Sequence, residues 1–226
     1  MVMFDPRTQA SMVSTTVTHL HLLRHGAVEA PSERTVRGQL DVPLSPDGER
    51  QTALLAGFCE RALGGLVPPV SGILTSDLQR ARPLAEQVAA RLGVAVAIEP
   101  ALREQSMGAW EGKPWRVLNE LDPAGVEDYW TRYLDARPGG GESVRELSAR
   151  VEAWWARSRE RLENGRWILV THIGVIRVFL AHAFGVGLDQ SLRFTPEVAS
   201  HTHLMLAEAG AVIGALGERP WLGRDS

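Results

Sequence analysis

Only one cysteine, Cys59, stands among the 226 residues. No disulfide can therefore form within the chain, which suits a reducing compartment and an expected cytoplasmic location. Neither sign of charge dominates: 24 Lys and Arg against 27 Asp and Glu leave a net charge of −3. That balance excludes the strongly basic face of a nucleic-acid binder. No apolar run approaches the roughly 20 residues needed to cross a bilayer. No charged segment followed by an apolar one opens the chain, so neither a membrane span nor a signal peptide is expected. Internal repeats and low-complexity linkers are also lacking. The small and polar residues over 1–16 have no period and read as a loose tail. Residues 17–226 then read as a single domain.

What is present is a rhythm of short apolar segments and longer amphipathic ones. Residues 17–23 alternate and then run apolar, as in a strand buried on both faces, and end in Arg24-His25-Gly26. Ser45-Pro46 opens a helix to about Leu63, since serine suits the N-cap and proline the first helical position. A strand follows over 70–74. Ser76 with Gln79 predicts a capping box for a helix over about 78–92, closed by Gly93. A β-branched strand is expected over 94–98. Ser143 with Glu146 predicts another capping box, ahead of a long amphipathic helix carrying Val144, Leu147, Val151, Trp154 and Leu162. A strand over 167–170, a helix over 175–184 and strands over 203–206 and 211–216 complete the pattern. Alternating strands and helices predict an α/β fold, a three-layer α/β/α arrangement on a mainly parallel sheet. The less regular region 101–137 includes a stretch, 113–137, expected to form a small helical lid. Its tryptophans suggest ring contact with a ligand. The run Arg137-Pro138-Gly139-Gly140-Gly141 reads as a turn too short to separate domains.

Ligands of such sheets bind beyond the carboxyl ends of the strands. Two predicted strand ends carry histidine, His25 and His172, and a third leads through Thr75-Ser76-Asp77 to Arg80. Residues far apart in sequence can thus converge on one edge. Their types suit phosphoryl transfer, in which a nucleophile must approach an anion and charge spreads over the equatorial oxygens. The planar forks of Arg24 and Arg80 match those oxygens, and the helix after Ser76 is expected to aim N–H groups at them. His25 can attack from an uncharged ring nitrogen near neutral pH. His172, protonated, can donate to an oxygen. The leaving alkoxide needs a proton, and a carboxyl group near a phosphate is pushed toward its protonated form. Glu104, after the third strand, is the candidate.

Six segments occur in register: Leu23-Arg24-His25-Gly26; Gly38-Gln39-Leu40-Asp41-Val42-Pro43-Leu44-Ser45; Thr75-Ser76-Asp77-Leu78-Gln79-Arg80-Ala81; Leu102-Arg103-Glu104 through Gly108-Ala109-Trp110-Glu111-Gly112; Gly140-Gly141-Glu142-Ser143; and Thr171-His172-Ile173-Gly174-Val175-Ile176-Arg177. Together they resemble the histidine phosphatase, or phosphoglycerate-mutase-like, superfamily over roughly 18–206. Trp110-Glu111-Gly112 and the Gly-Gly-Glu-Ser run are most similar to its small phosphatases, the alpha-ribazole phosphatase and broad-specificity branch. The resemblance implies a hydrolase of small phosphomonoesters working through a phosphohistidine at His25. Arg24, Arg80 and His172 would complete the phosphate pocket, and Glu104 would serve as proton donor and then as base toward water. Neither metal nor cofactor is implied, and no HExxH motif or Asp-rich cluster is present.

The chain departs from its relatives where Glu-Thr and then an Asn commonly follow Arg-His-Gly: Ala27, Val28 and Pro31 stand there. A side-chain hydrogen bond to the phosphate is therefore either missing or supplied by Gln39 or Ser32. Ile173 replaces a small residue, so it either narrows the pocket or points into the core. A phosphoglycerate mutase using the same five residues is the alternative, and a non-catalytic phospho-ligand-binding protein a more distant one. Arg82 is expected to face solvent, and Glu111 to be a loop or helix-start residue. The His19–His21 and His201–His203 pairs have the spacing of metal ligands but no thiol or carboxylate partner at suitable spacing, so a metal is not expected there. Trp154 and Trp155 cannot both face the core of one helix. One is expected at the surface or at a contact between two copies, a homodimer being one arrangement.

Overall fold

The computed structural model describes residues 17–29 and 34–222. The expected tail over 1–16, together with Pro31 and Ser32, lies outside the described residues. The chain order is β1 (Thr18–Arg24), α1 (Pro46–Leu63), β2 (Val70–Thr75), α2 (Arg82–Leu92), β3 (Val96–Ile98), α3 (Trp115–Leu121), α4 (Pro123–Thr131), α5 (Val144–Leu162), β4 (Arg166–Thr171), α6 (Ile173–Ala183), β5 (His201–Ala207) and β6 (Gly210–Glu218). The strands form one sheet in the order β3-β2-β4-β1-β5-β6. The first four run parallel, and β5 is antiparallel to both β1 and β6.

Alternation along the central strands sorts the core onto two faces. Leu20, Leu22, Leu74 and Leu169 pack against Leu147, Val151, Trp154, Ile176 and Phe179 of α5 and α6. Leu23, Ile73, Ile168 and Val170 pack against Leu55, Cys59, Leu84 and Val88 of α1 and α2. Both faces of β2 and β4 are covered, so these two strands read as nearly continuous apolar runs. Each such side chain contributes about 1.5–3 kcal/mol through burial. The result is the three-layer α/β/α arrangement.

The helix ends follow local chemistry. Ser45 Oγ accepts the Gly48 N–H at 3.1 Å ahead of Pro46. The Ser143–Glu146 box is reciprocal, with contacts of 3.1 and 2.8 Å. The Ser76–Gln79 box does not form, and α2 begins only at Arg82. Gln79 instead reaches a loop distant in sequence: its N–H donates to Asp41 Oδ1 and its amide to the Asp41 carbonyl. The helix N-terminus expected after Ser76 is therefore absent, and Arg80 sits in a turn. Trp154 and Trp155 also depart from expectation. Trp154 is fully buried, yet Trp155 is part-buried against the same cluster, and both rings meet Phe179 edge-on at 6.0 and 6.1 Å.

The histidine pairs face one another across β1 and β5. His19 Nδ1 lies 3.1 Å from His203 Nε2, and His21 Nδ1 lies 2.9 Å from His201 Nε2. Arg166 donates to His21 Nε2 at 2.9 Å, which assigns the proton of His21 to Nδ1. Among the described residues no group of three or more His, Cys, Asp or Glu is arranged to hold a metal ion. Nor is any helix there long and apolar enough to cross a membrane.

Over 113–137 the chain forms α3 and α4, packed through Trp110, Leu118, Val126 and Tyr129 into a third apolar cluster. Asp122 joins its parts: one oxygen caps α4 at the Gly125 N–H, and the other accepts the Trp110 indole N–H at 2.9 Å.

Candidate active site

The parallel register brings the ends of β1, β2 and β4 side by side, with Arg24 opposite Thr171 and Thr75 opposite Val170. Arg24 and His25 leave β1, Arg80 follows β2 by one turn, and His172 follows β4. His25 is buried, and its Nδ1 lies 2.7 Å from the Gly26 carbonyl. A carbonyl only accepts, so Nδ1 carries the proton and Nε2 keeps its lone pair. Burial holds the ring well below the ordinary histidine pKa, and Arg80 and Arg24 add to the effect. Gly26 lets the first turn of α1 pack against this strand end, because a Cβ there would lie 2.4 Å from the Gly48 carbonyl oxygen.

His172 lies tilted against His25, with ring centroids 5.0 Å apart. Both of its ring nitrogens are buried without a partner among the described residues. Burial, then His25, Arg80 and Arg24, hold it well below the usual pKa. Before an anion arrives these causes favour the neutral ring. A neutral ring still offers one N–H.

Arg80 is 2% exposed, and its Nη atoms donate to the Gly38 and Leu40 carbonyls at 2.7 and 2.8 Å. Arg24 Nη1 donates to the Pro196 carbonyl at 2.8 Å, while its Nε is buried without a partner. Burial lowers the pKa of both guanidiniums and Glu104 opposes it; both stay cationic at ordinary pH. Glu104 Oε1 accepts from the Gln105 N–H at 2.9 Å and from the Gly174 N–H, in the first turn of α6, at 3.1 Å.

Arg24, His25, Arg80, Glu104 and Ile173 line one cavity of about 450 Å³. Ile173 thus narrows the pocket. Val28 also lines it, as an apolar wall. Gln39 does not line it: its side-chain amide donates to the Glu104 carbonyl at 3.0 Å. His203 faces His19 and His21. Arg82 pairs with Glu86 in solvent, and Glu111 is a loop residue whose Oε1 accepts the Gln39 and Met107 N–H groups. Sequence reasoning missed Arg34, Arg37 and Arg177, which also line the cavity, with Trp115, Tyr129 and Tyr133 from residues 113–137. Arg177 had a signal: it stands four residues after Ile173 on one helix face. Arg34 and Arg37 lie in a loop without periodicity.

A strand-end pocket with a neutral histidine, buried arginines and one carboxylate is that of an enzyme acting on phosphate esters. Residues 20–219 match the histidine phosphatase superfamily (branch 1), and the chain belongs to that family. A relative named probable phosphoglycerate mutase GpmB from Salmonella paratyphi B is 37% identical over 158 residues, 68% of each chain. The solved structure of a putative alpha-ribazole-5′-P phosphatase from Escherichia coli superposes with a TM-score of 0.79 at 26% identity, covering 89% of this chain and 97% of that one. A mycobacterial glucosyl-3-phosphoglycerate phosphatase superposes with a TM-score of 0.73 at 25% identity, covering 88% and 98%.

Proposed function

We propose that the protein hydrolyses small phosphomonoesters through a phosphohistidine at His25, with arginine charge in the role a metal plays elsewhere. The tautomer of His25 carries the reading: with Nδ1–H donated to the Gly26 carbonyl, Nε2 holds the free lone pair. That atom attacks phosphorus, and the bond from phosphorus to the ester oxygen breaks. Glu104, as general acid, gives a proton to the leaving alkoxide. Arg24, Arg80 and the N–H of His172 hold the equatorial oxygens. In the second half, Glu104 takes a proton from water, whose oxygen displaces the histidine. Inorganic phosphate leaves and His25 returns to its starting form. His25→Ala should abolish turnover of an aryl phosphate; full activity in that variant would overturn the mechanism.

One observation favours a second reading. The relative matched at 37% identity carries a phosphoglycerate mutase name. A mutase would return the phosphoryl group from His25 to the substrate. Isomerisation of a phosphoglycerate without phosphate release would select it, and release of inorganic phosphate would select hydrolysis.

A further inference from the structure

Glu104 needs a fixed position, yet it stands on a segment with no regular secondary structure beyond one short 3-10 turn at Pro100–Leu102. That segment is tied down from outside the cavity. Arg150, on α5, places all five guanidinium N–H groups. Nε and Nη2 pair with the two Glu142 oxygens at 2.8 Å each. Nη1 donates to the Ala101 and Arg103 carbonyls at 2.7 and 3.0 Å. Nη2 also donates to the Glu104 carbonyl at 3.2 Å, which accepts from the Gln39 side-chain amide as well, at 3.0 Å. Glu142 answers along the next residues: its Oε2 accepts the Ser106 N–H at 3.0 Å, and its own N–H donates to the Ser106 carbonyl at 2.9 Å. Gly141 permits this closeness, since a Cβ there would lie 2.3 Å from the Ser106 carbonyl oxygen.

A surface ion pair would not need this arrangement. Arg150 and Glu142 are each 22% exposed, and the bidentate fork fixes direction as well as distance. Gln105 Nε2 donates to the Glu142 carbonyl at 2.8 Å, so residues 104–106 are each held by a group outside the cavity lining. We propose that Arg150, oriented by Glu142, is a positioning residue that sets the backbone of Glu104 and so aims its carboxyl at the leaving-group oxygen. This rests on the proposed acid role of Glu104.

The leaving group provides a test that a merely structural role would not move. An alkyl alkoxide needs a proton as it departs, whereas p-nitrophenolate leaves without one. Second-order rate constants report the phosphorylation half-reaction, so kcat/KM is compared for glycerol phosphate and p-nitrophenyl phosphate. The variants are Glu104→Gln, Arg150→Met, Gln39→Leu and the charge-neutral pair Arg150→Met with Glu142→Leu. The pair leaves no unpartnered charge and keeps the test available if Arg150→Met alone folds poorly. A displacement of about 1 Å at a catalytic group costs on the order of 100-fold. We expect the Arg150 variants to lose ~30–100-fold on glycerol phosphate and less than ~3-fold on p-nitrophenyl phosphate, following Glu104→Gln in pattern, with Gln39→Leu intermediate. Selective loss in Glu104→Gln with equal or no loss in the Arg150 variants would overturn the positioning role alone. Absence of selectivity in Glu104→Gln would overturn the acid role, and the positioning role with it.

Discussion

Replacing Gly174 by alanine separates the site from the scaffold. A Cβ at this position would lie 2.3 Å from Glu104 Oε1 and 3.1 Å from Leu147 Cδ2. Ordinary contact begins near 3.4 Å, so the carboxylate must retreat by about 1 Å, away from the Gly174 N–H it accepts from at 3.1 Å. The atom that moves is the end of a flexible side chain, which makes the change cheap for the fold. Leu147 need give only a few tenths of an ångström. Alanine also favours the helix by up to about 1 kcal/mol over glycine. Catalysis takes the loss instead, since general acid catalysis is worth ~10²–10⁴-fold and depends on reach to the leaving oxygen. We expect kcat/KM for an alkyl phosphate to fall ~30–100-fold, inhibition by inorganic phosphate to stay within ~3-fold, and the melting temperature to stay within ~3 °C. Steady-state kinetics and a thermal melt read all three. Full activity of Gly174→Ala on the alkyl ester would refute the placement of the acid.

Three further outcomes follow from the fold. Burial first, then neighbouring histidines and Arg166, push His21 down to about 2; burial and His203 bring His201 to about 4, and burial, His19 and Arg166 bring His203 to about 4. The unfolded chain binds protons below about pH 6.5 that the native state refuses, so stability declines from there toward about pH 4 for His201 and His203, and lower for His21. His25 and His172 act in the same direction. Melts from about pH 7.5 to about pH 4.5 should show a steady fall, and a flat profile would contradict the buried neutral ladder. Cys59 is fully buried and its thiol is pushed up to about 12, so an alkylating reagent near pH 8 should label it only after denaturation; rapid labelling of the native protein would place it elsewhere. Ser143→Ala removes the cap of α5 and should cost about 1 kcal/mol, a drop of ~2–4 °C in melting temperature. No change would mean the cap is not bearing on the fold.

What could be read in advance, and what could not, follows from the distance over which each feature is decided. The ends of α1 and α5 are set within four residues by Ser45, Pro46, Ser143 and Glu146, so local chemistry was sufficient. The convergence of Arg24, His25, Arg80 and His172 was legible because each stands at or soon after the end of a strand, and parallel strands bring their ends together. The start of α2 was not legible, because Gln79 bonds Asp41 38 positions away instead of closing its own box. Gln39 was expected at the phosphate, and its amide is directed to the Glu104 carbonyl 65 positions away. The charge of His172 depends on burial and on the company of Arg80 and Arg24, which residue type alone does not convey. Trp155 meets the same aromatic neighbour as Trp154, Phe179 of α6, a fact of packing between helices and not of periodicity within one.

The central claim is that His25 carries the phosphoryl group, and its most direct test is to trap that group. Protein mixed briefly with a phosphate-labelled aryl ester and quenched in base should retain label that is lost in acid. Peptide mapping should place that label on His25. It should be missing from His25→Ala and should accumulate in Glu104→Gln, where water attack is slowed. A protein that turns over the ester with no label at His25, or with label stable to acid on another residue, would contradict the account.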